Sequence, residues 1–241
     1  MLALFHKMSL SGTLSVGSRV RLYRTLAAIF TSENDPILGS YMCRLPFSLV
    51  LKTSHSSTMN EAVALRYLSQ VPGINAPFCI DCVRTDVGCY LLSTWISGDC
   101  FHDVWDALTS QDKEQLCQQL FEQFQALRKD HSVKRTVSNA LGLPMEDPRI
   151  PWDDPQFFYF SSDFFRAVWR GFDWPRSKDT IASMIQLMIY PAGVFNVFCL
   201  GDLEPKNIIL EGELEKWRRE KPSCISLTGN LQDGPHFLGM R

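Results

Sequence analysis

The chain has 241 residues, 45% of them hydrophobic and 21% charged, with a formal net charge of −2. This is an ordinary globular balance, enough for one large domain or two small lobes. It lacks the global basic field of a nucleic-acid binder, so no nucleic-acid partner is expected.

No membrane partner is expected either. The greasiest stretch, Met184 to Leu200, is interrupted by Gln186, Pro191 and Asn196, and a spanning helix needs roughly 20 mostly apolar residues. In the opening "MLALFHKMSL" the charge follows the apolar run and no small-residue cleavage site is evident. A secretory leader is therefore not expected, and a cytoplasmic location is. Eight cysteines are scattered along the chain. Cys79 and Cys82 form a C-x-x-C, but zinc usually needs a second close pair. The cysteines read as reduced thiols acting as small hydrophobes.

The first forty residues give weak signals. "RVRLYRTLAAIF" has helical potential, and "TSENDPILGS" is turn chemistry. "YMCRLPFSLVLKT" reads as extended structure, with Pro46 marking an edge or bend. "SSTMNEAVALRYLSQ" reads as a helix in which Thr58 and Glu61 have capping-box spacing. "PFCIDCVRTDVGCYLLSTWI" reads as two strands around a turn near Asp86 to Gly88. A connector is expected near Trp95 to Asp99.

Beyond Gly98 the pattern turns helical. In "TSQDKEQLCQQLFEQFQALRKD" Leu116, Leu120, Phe124 and Leu127 fall on one helix face, which reads as core. Residues 132 to 155 read as a long polar loop, of a length that is often functional or mobile. Helical segments are expected near 162–171 and 178–190, then a short strand ending at Leu200 and the strand "NIIL". Lys216, Arg218 and Arg219 alternate with Glu213, Glu215 and Glu220, and read as a solvated helix face.

Between the last two strands lies "GDLEPKNIIL". A kinase catalytic loop needs an acid near the acceptor hydroxyl and an amide that helps hold magnesium. The protein-kinase pattern H-R-D-L-x-x-x-N sets these five positions apart. Asp202 and Asn207 have that spacing, with Leu203 in place. A kinase also needs a strand lysine to neutralise phosphates and a glutamate on the next helix to hold it. Lys52 and Glu61 occur in that order on the expected elements. The alternatives are a solvated strand-end lysine and a glutamate that only caps its helix.

Five stretches in order resemble one family. "LPFSLVLK" and "NEAVALRYL" are similar to the lysine strand and glutamate helix of the aminoglycoside phosphotransferase (choline kinase-like) family, in particular its fungal group. "YLLSTWISGDCFHDVW" resembles its hinge, "DPRIPW" a mid-lobe stretch, and "GDLEPKNIIL" its H-G-D-L-H-P-x-N-I-L loop. The resemblance runs from about Val20 to Leu210. It implies an α+β, two-lobe protein kinase-like fold, with a small β-rich N-lobe and a larger helical C-lobe that is incomplete here. It implies an N-terminal extension over 1–19, an N-lobe over 20–96, a C-lobe with the catalytic loop over 97–211 and a divergent tail over 212–241. ATP would bind between the lobes, as ligands favour such clefts.

The resemblance also implies roles. Lys52 and Glu61 would position phosphates, Asp202 would take the acceptor proton, and Asn207 would bind Mg²⁺. The partner would be a small-molecule hydroxyl acceptor. The sequence departs from the pattern at Leu200 and Glu204, which replace the loop histidines. The family's second magnesium aspartate, on the next strand, falls at Gln232, one residue before Asp233. Asp233 is then the candidate second metal ligand, through a local register shift. The family's last helices have no counterpart, as expected of a chain truncated at its C-terminus. Two readings stay open: an ATP-dependent phosphotransferase, and a catalytically inactive kinase-like binding module or truncated gene product. A protein kinase is a weaker reading, because D-F-G, A-P-E and the arginine of H-R-D are missing.

Overall fold

The computed structural model describes residues 14–30, 41–54, 58–86, 88–129, 136–145, 150, 155–160, 163–164, 166–168, 205–211 and 225–227. The helix expected over 178–190, the strand ending at Leu200, the loop holding Asp202 and the basic segment near Lys216 lie outside them. Within them the protein mixes helices with antiparallel sheet, which bears out the α+β class.

Helix α1 (Val16–Phe30) opens the described chain. Ser15 caps it, its Oγ accepting the Ser18 amide at 3.2 Å, which satisfies one of the orphan donors of the first turn. Strands β1 (Tyr41–Leu45), β2 (Leu49–Ser54), β3 (Cys79–Thr85) and β4 (Gly88–Thr94) form an antiparallel sheet in the order β1-β2-β4-β3. The stretch read as one extended segment is thus a hairpin, with Pro46, Phe47 and Ser48 as its turn. Phe47 and Ser48 adopt φ of 64° and 55°, a left-handed conformation that costs a bulky side chain energy. The turn is held from outside. The Trp95 amide donates to the Ser48 carbonyl at 2.7 Å, and the Arg44 guanidinium lies over the Trp95 ring.

Side chains alternate across a strand, so the two faces of the sheet collect different residues. One face gathers Cys43, Leu45, Leu51, Val83 and Leu92 against Tyr23 of α1. The other receives helix α2 (Thr58–Leu68), whose Ala62 and Leu65 pack on Cys79 and Leu91. A bulge interrupts the β3–β4 register between Cys79 and Asp81. Past it, Ile80 and Asp81 both turn toward α1, while Cys79 and Cys82 turn toward α2. Bulges re-aim side chains in this way.

A second, three-stranded sheet follows. Its strands β5 (Gly98–Cys100), β6 (Ile208–Glu211) and β7 (Ile225–Leu227) lie in that spatial order, with both pairings antiparallel. Strand β5 runs into the single-turn helix α3 (Phe101–Val104). Phe101, Leu108, Leu116, Ile208 and Leu210 form the core beneath it.

Helix α4 (Ser110–Lys129) joins the two halves. Thr109 and Asp112 cap it reciprocally: the Thr109 amide donates to Asp112 Oδ2 at 3.0 Å, and the Asp112 amide to Thr109 Oγ1 at 3.2 Å. The expected apolar stripe divides its work. Leu116 and Leu120 pack on the β5–β6 core. Phe124 and Leu127 pack on Leu68 and Val71, at and beyond the end of α2. Gln123, also buried, accepts the Asn75 amide at 3.2 Å.

The stretch read as a long polar loop is ordered where it is described. Val137 bridges Phe158, Met145 bridges Gln156, and Phe158 packs with Ile150, Ala167 and Val168. Among the described residues no helix is long and apolar enough to cross a membrane.

Gly98 sits where β5 meets β6, paired with Glu211. A β-carbon there would overlap the Leu210 carbonyl oxygen and lie 2.9 Å from Ile209 Cγ2. Backbone, unlike a side-chain end, cannot swing aside. We expect Gly98→Ala to destabilise the fold by about 3 kcal/mol, the upper range for overpacking. Gly17→Ala, in an open position on α1, should stabilise it by about 0.5 kcal/mol. Urea denaturation of both variants checks the opposite signs.

Candidate functional site

The sheet and α2 bring two of the sequence candidates into contact. Lys52 stands on β2, a central strand flanked by Met42 of β1 and Leu91 of β4. Its side chain projects to the face covered by α2, because its neighbour Leu51 occupies the α1 face. Glu61 lies in the first turn of α2, whose packing on β3 and β4 fixes its position. Lys52 Nζ donates to Glu61 Oε2 at 2.7 Å, with only 6% and 11% of the two side chains exposed. The lysine is not a solvated strand end, and the glutamate carboxylate is its buried partner.

Burial pushes the Glu61 carboxyl above its ordinary range, and the Lys52 ammonium pulls it part of the way back. Desolvating two charges offsets most of what their attraction gains, so such a pair adds little net stability. Its arrangement suits another use: a cation held in a fixed place beneath a helix can receive an anionic group.

Asn207 is also nearly fully buried. It ends the 3-10 turn Pro205–Asn207 and directly precedes β6, the middle strand of the second sheet. Its side-chain oxygen is a hard, neutral donor of the kind Mg²⁺ accepts. The fit to that ion reaches this far among the described residues. There, no group of three or more His, Cys, Asp or Glu gathers to hold a metal. Asp233, the candidate second metal ligand, and Asp202, the candidate catalytic acid, lie outside the described residues, as do Leu200, Glu204 and Gln232. The register does bear on where an acid could stand. Leu227 of β7 pairs with Ile208, the residue after Asn207, and the first carboxylate in the sequence beyond Leu227 is Asp233.

A second buried charge cluster lies on the opposite face of the first sheet, and the sequence reading missed it. Arg19 Nη1 donates to Asp81 Oδ1 at 2.7 Å and to Oδ2 at 3.0 Å. The Tyr23 hydroxyl donates to Oδ2 at 2.5 Å. Arg19 and Tyr23 stand four apart, one turn of α1, and so share a face. That spacing was the available signal, but nothing local marks Asp81 as their partner. The bulge that aims it is a tertiary feature.

A scan of protein-family models finds no match to this chain, and a search of curated proteins finds none either.

Two measurements check the charge clusters. Lys52→Met and Glu61→Leu each strand a buried charge and should cost about 3–5 kcal/mol. The double variant should cost clearly less than the sum of the two in a double-mutant cycle. Burial and the Asp81 carboxylate raise the Tyr23 hydroxyl far above its ordinary range. As pH rises through about 10, the unfolded chain releases a proton that the folded chain keeps, so folding stability falls with pH. Tyr23→Phe removes this contribution. Its unfolding free energy should decline less than that of the parent protein between pH 8 and about 10.5.

Proposed function

We propose that the protein is an ATP-dependent phosphotransferase of the two-lobe, kinase-like kind, acting on a hydroxyl of a small molecule. The observation that carries this reading is the buried Lys52–Glu61 pair, 2.7 Å apart, on a central strand and the helix that follows it. Kinase chemistry requires that pairing to place a cation at the nucleotide phosphates. The placing of Asn207 at the head of β6, five residues after Asp202, supports it further.

In this reading each residue has one task. Lys52 neutralises phosphate oxygens of ATP, and Glu61 keeps its ammonium from turning away. Asn207, with Asp233, would hold Mg²⁺, which when bound neutralises charge on the phosphates. Asp202 accepts the proton of the acceptor hydroxyl as its oxygen bonds to the γ-phosphorus. The bond from that phosphorus to the bridging oxygen breaks, and ADP leaves with its electron pair. Catalysis of this kind is mainly positioning and electrostatics, so a rigid, pre-paired lysine matters more than any covalent group. A cytoplasmic protein would meet Mg-ATP there.

The inactive binding module is the second reading. What favours it is the stretch "TGNLQ" that separates Leu227 from Asp233 without a carboxylate.

Calorimetry with Mg-ATP, followed by turnover over a panel of amino alcohols and aminoglycosides, separates the two. We expect ATP binding that Lys52→Met weakens about tenfold or more, and turnover that Asp202→Asn lowers about 100-fold or more. Binding without turnover on any acceptor would favour the inactive module. No ATP binding by the folded protein would overturn the phosphotransferase, and phosphate transfer lost in Asp202→Asn would overturn the inactive module.

A further inference from the structure

Cys82 makes two sulfur contacts beneath the first turn of α2. Cys82 Sγ on β3 lies 3.4 Å from Cys89 Sγ on β4 and 3.8 Å from Met59 Sδ on α2. Cys79 and Cys82 share the C-x-x-C in sequence, but across the hairpin the sulfur that Cys82 contacts is that of Cys89. Cys89 is buried, whereas Cys82 and Met59 are each half-buried, so the cluster is reachable from its Cys82–Met59 side. The three residues come from three elements that the sheet and α2 already hold in place.

The geometry discriminates among the chemistries open to such a cluster. In the β3–β4 register Cys82 faces Leu91 and Cys89 faces Arg84, so the two cysteines are diagonal neighbours. Diagonal positions lie about 7–8 Å apart between Cα atoms, and a disulfide wants about 4.4–6.8 Å. A bridge would need the strands to move. Zinc favours four ligands, and the cluster supplies three sulfurs. Two thiols and a thioether form the soft donor set that selects Cu(I). A three-coordinate ion with metal–sulfur bonds of about 2.3 Å, the length known for zinc thiolates, separates its sulfurs by about 4 Å. The two distances observed from Cys82 Sγ, 3.4 and 3.8 Å, are close to that spacing.

We propose that Cys82, Cys89 and Met59 form a three-coordinate site for a soft monovalent metal ion, Cu(I). Each thiol that binds the ion gives its proton to solvent, and no electron is transferred. The bound ion ties α2 to the β3–β4 hairpin two residues before Glu61. Metal uptake at this site is independent of phosphoryl transfer.

The test is an anaerobic titration of the full, reduced chain with Cu(I) against bathocuproine disulfonate, with X-ray absorption on the product. The expected result is one retained equivalent with about three sulfur neighbours at about 2.3 Å. Cys82→Ser should lower the affinity by about 100-fold or more, and Met59→Leu by about tenfold. Cys117→Ser, which alters an exposed thiol elsewhere, should change nothing. Met59→Leu keeps the volume and apolar character of the site, so it decides the matter if Cys82→Ser fails to fold. No Cu(I) retained against the competitor would overturn the proposal. So would retention that is unchanged in Met59→Leu.

Discussion

Two opposite charges removed together from water cannot be parted cheaply, and the Lys52–Glu61 contact imposes that constraint on everything around it. To keep the pair closed, α2 must hold one rotation and one height above the sheet. The apolar contacts of Ala62 and Leu65 with Cys79 and Leu91 supply that seating. Leu68 and Val71 extend it to α4, which in turn packs on the core of the second sheet. A chain of packed side chains thus runs from the buried ion pair to the strand that Asn207 precedes. The pair adds little net stability, but it makes α2 intolerant of small rotations that an all-apolar contact would permit.

Much of the local structure was legible in the sequence because local rules decide it. The α4 stripe, the β3–β4 hairpin and the Lys52 and Glu61 elements follow from periodicity and turn residues. The first hairpin was less legible. Its turn places Phe47 and Ser48 at positive φ, where propensity expects glycine or asparagine, and outside support from Trp95 and Arg44 overrides the local preference. The order within the stretch read as a long polar loop was hidden for a similar reason. Single bridges such as Val137 to Phe158 join residues far apart in sequence. At the site, Lys52 and Glu61 were readable as candidates, but their contact was not, since spacing cannot show that both side chains choose the same face.

Gly98 shows the same lesson in reverse. In sequence it is the glycine of a connector, which suggests freedom to bend. In the fold it is the point where two backbones approach too closely for any side chain. The segment after β4 is therefore pinned twice, at Trp95 to the hairpin turn and at Gly98 to β6. A linker restrained at both ends passes displacement of one sheet to the other instead of absorbing it.

The bulge in β3 has a consequence for where charge can reside. With regular alternation from Cys79, Asp81 would fall on the α2 face, under the same helix as Glu61. Two carboxylates would then compete for Lys52 in one low-dielectric space, and Arg19 would have no counterion. The single extra residue sorts the acids to opposite sides of the sheet, each with its own cation. The sheet then acts as an insulating partition between two electrically closed compartments, and the registry of one strand decides which charge belongs to which.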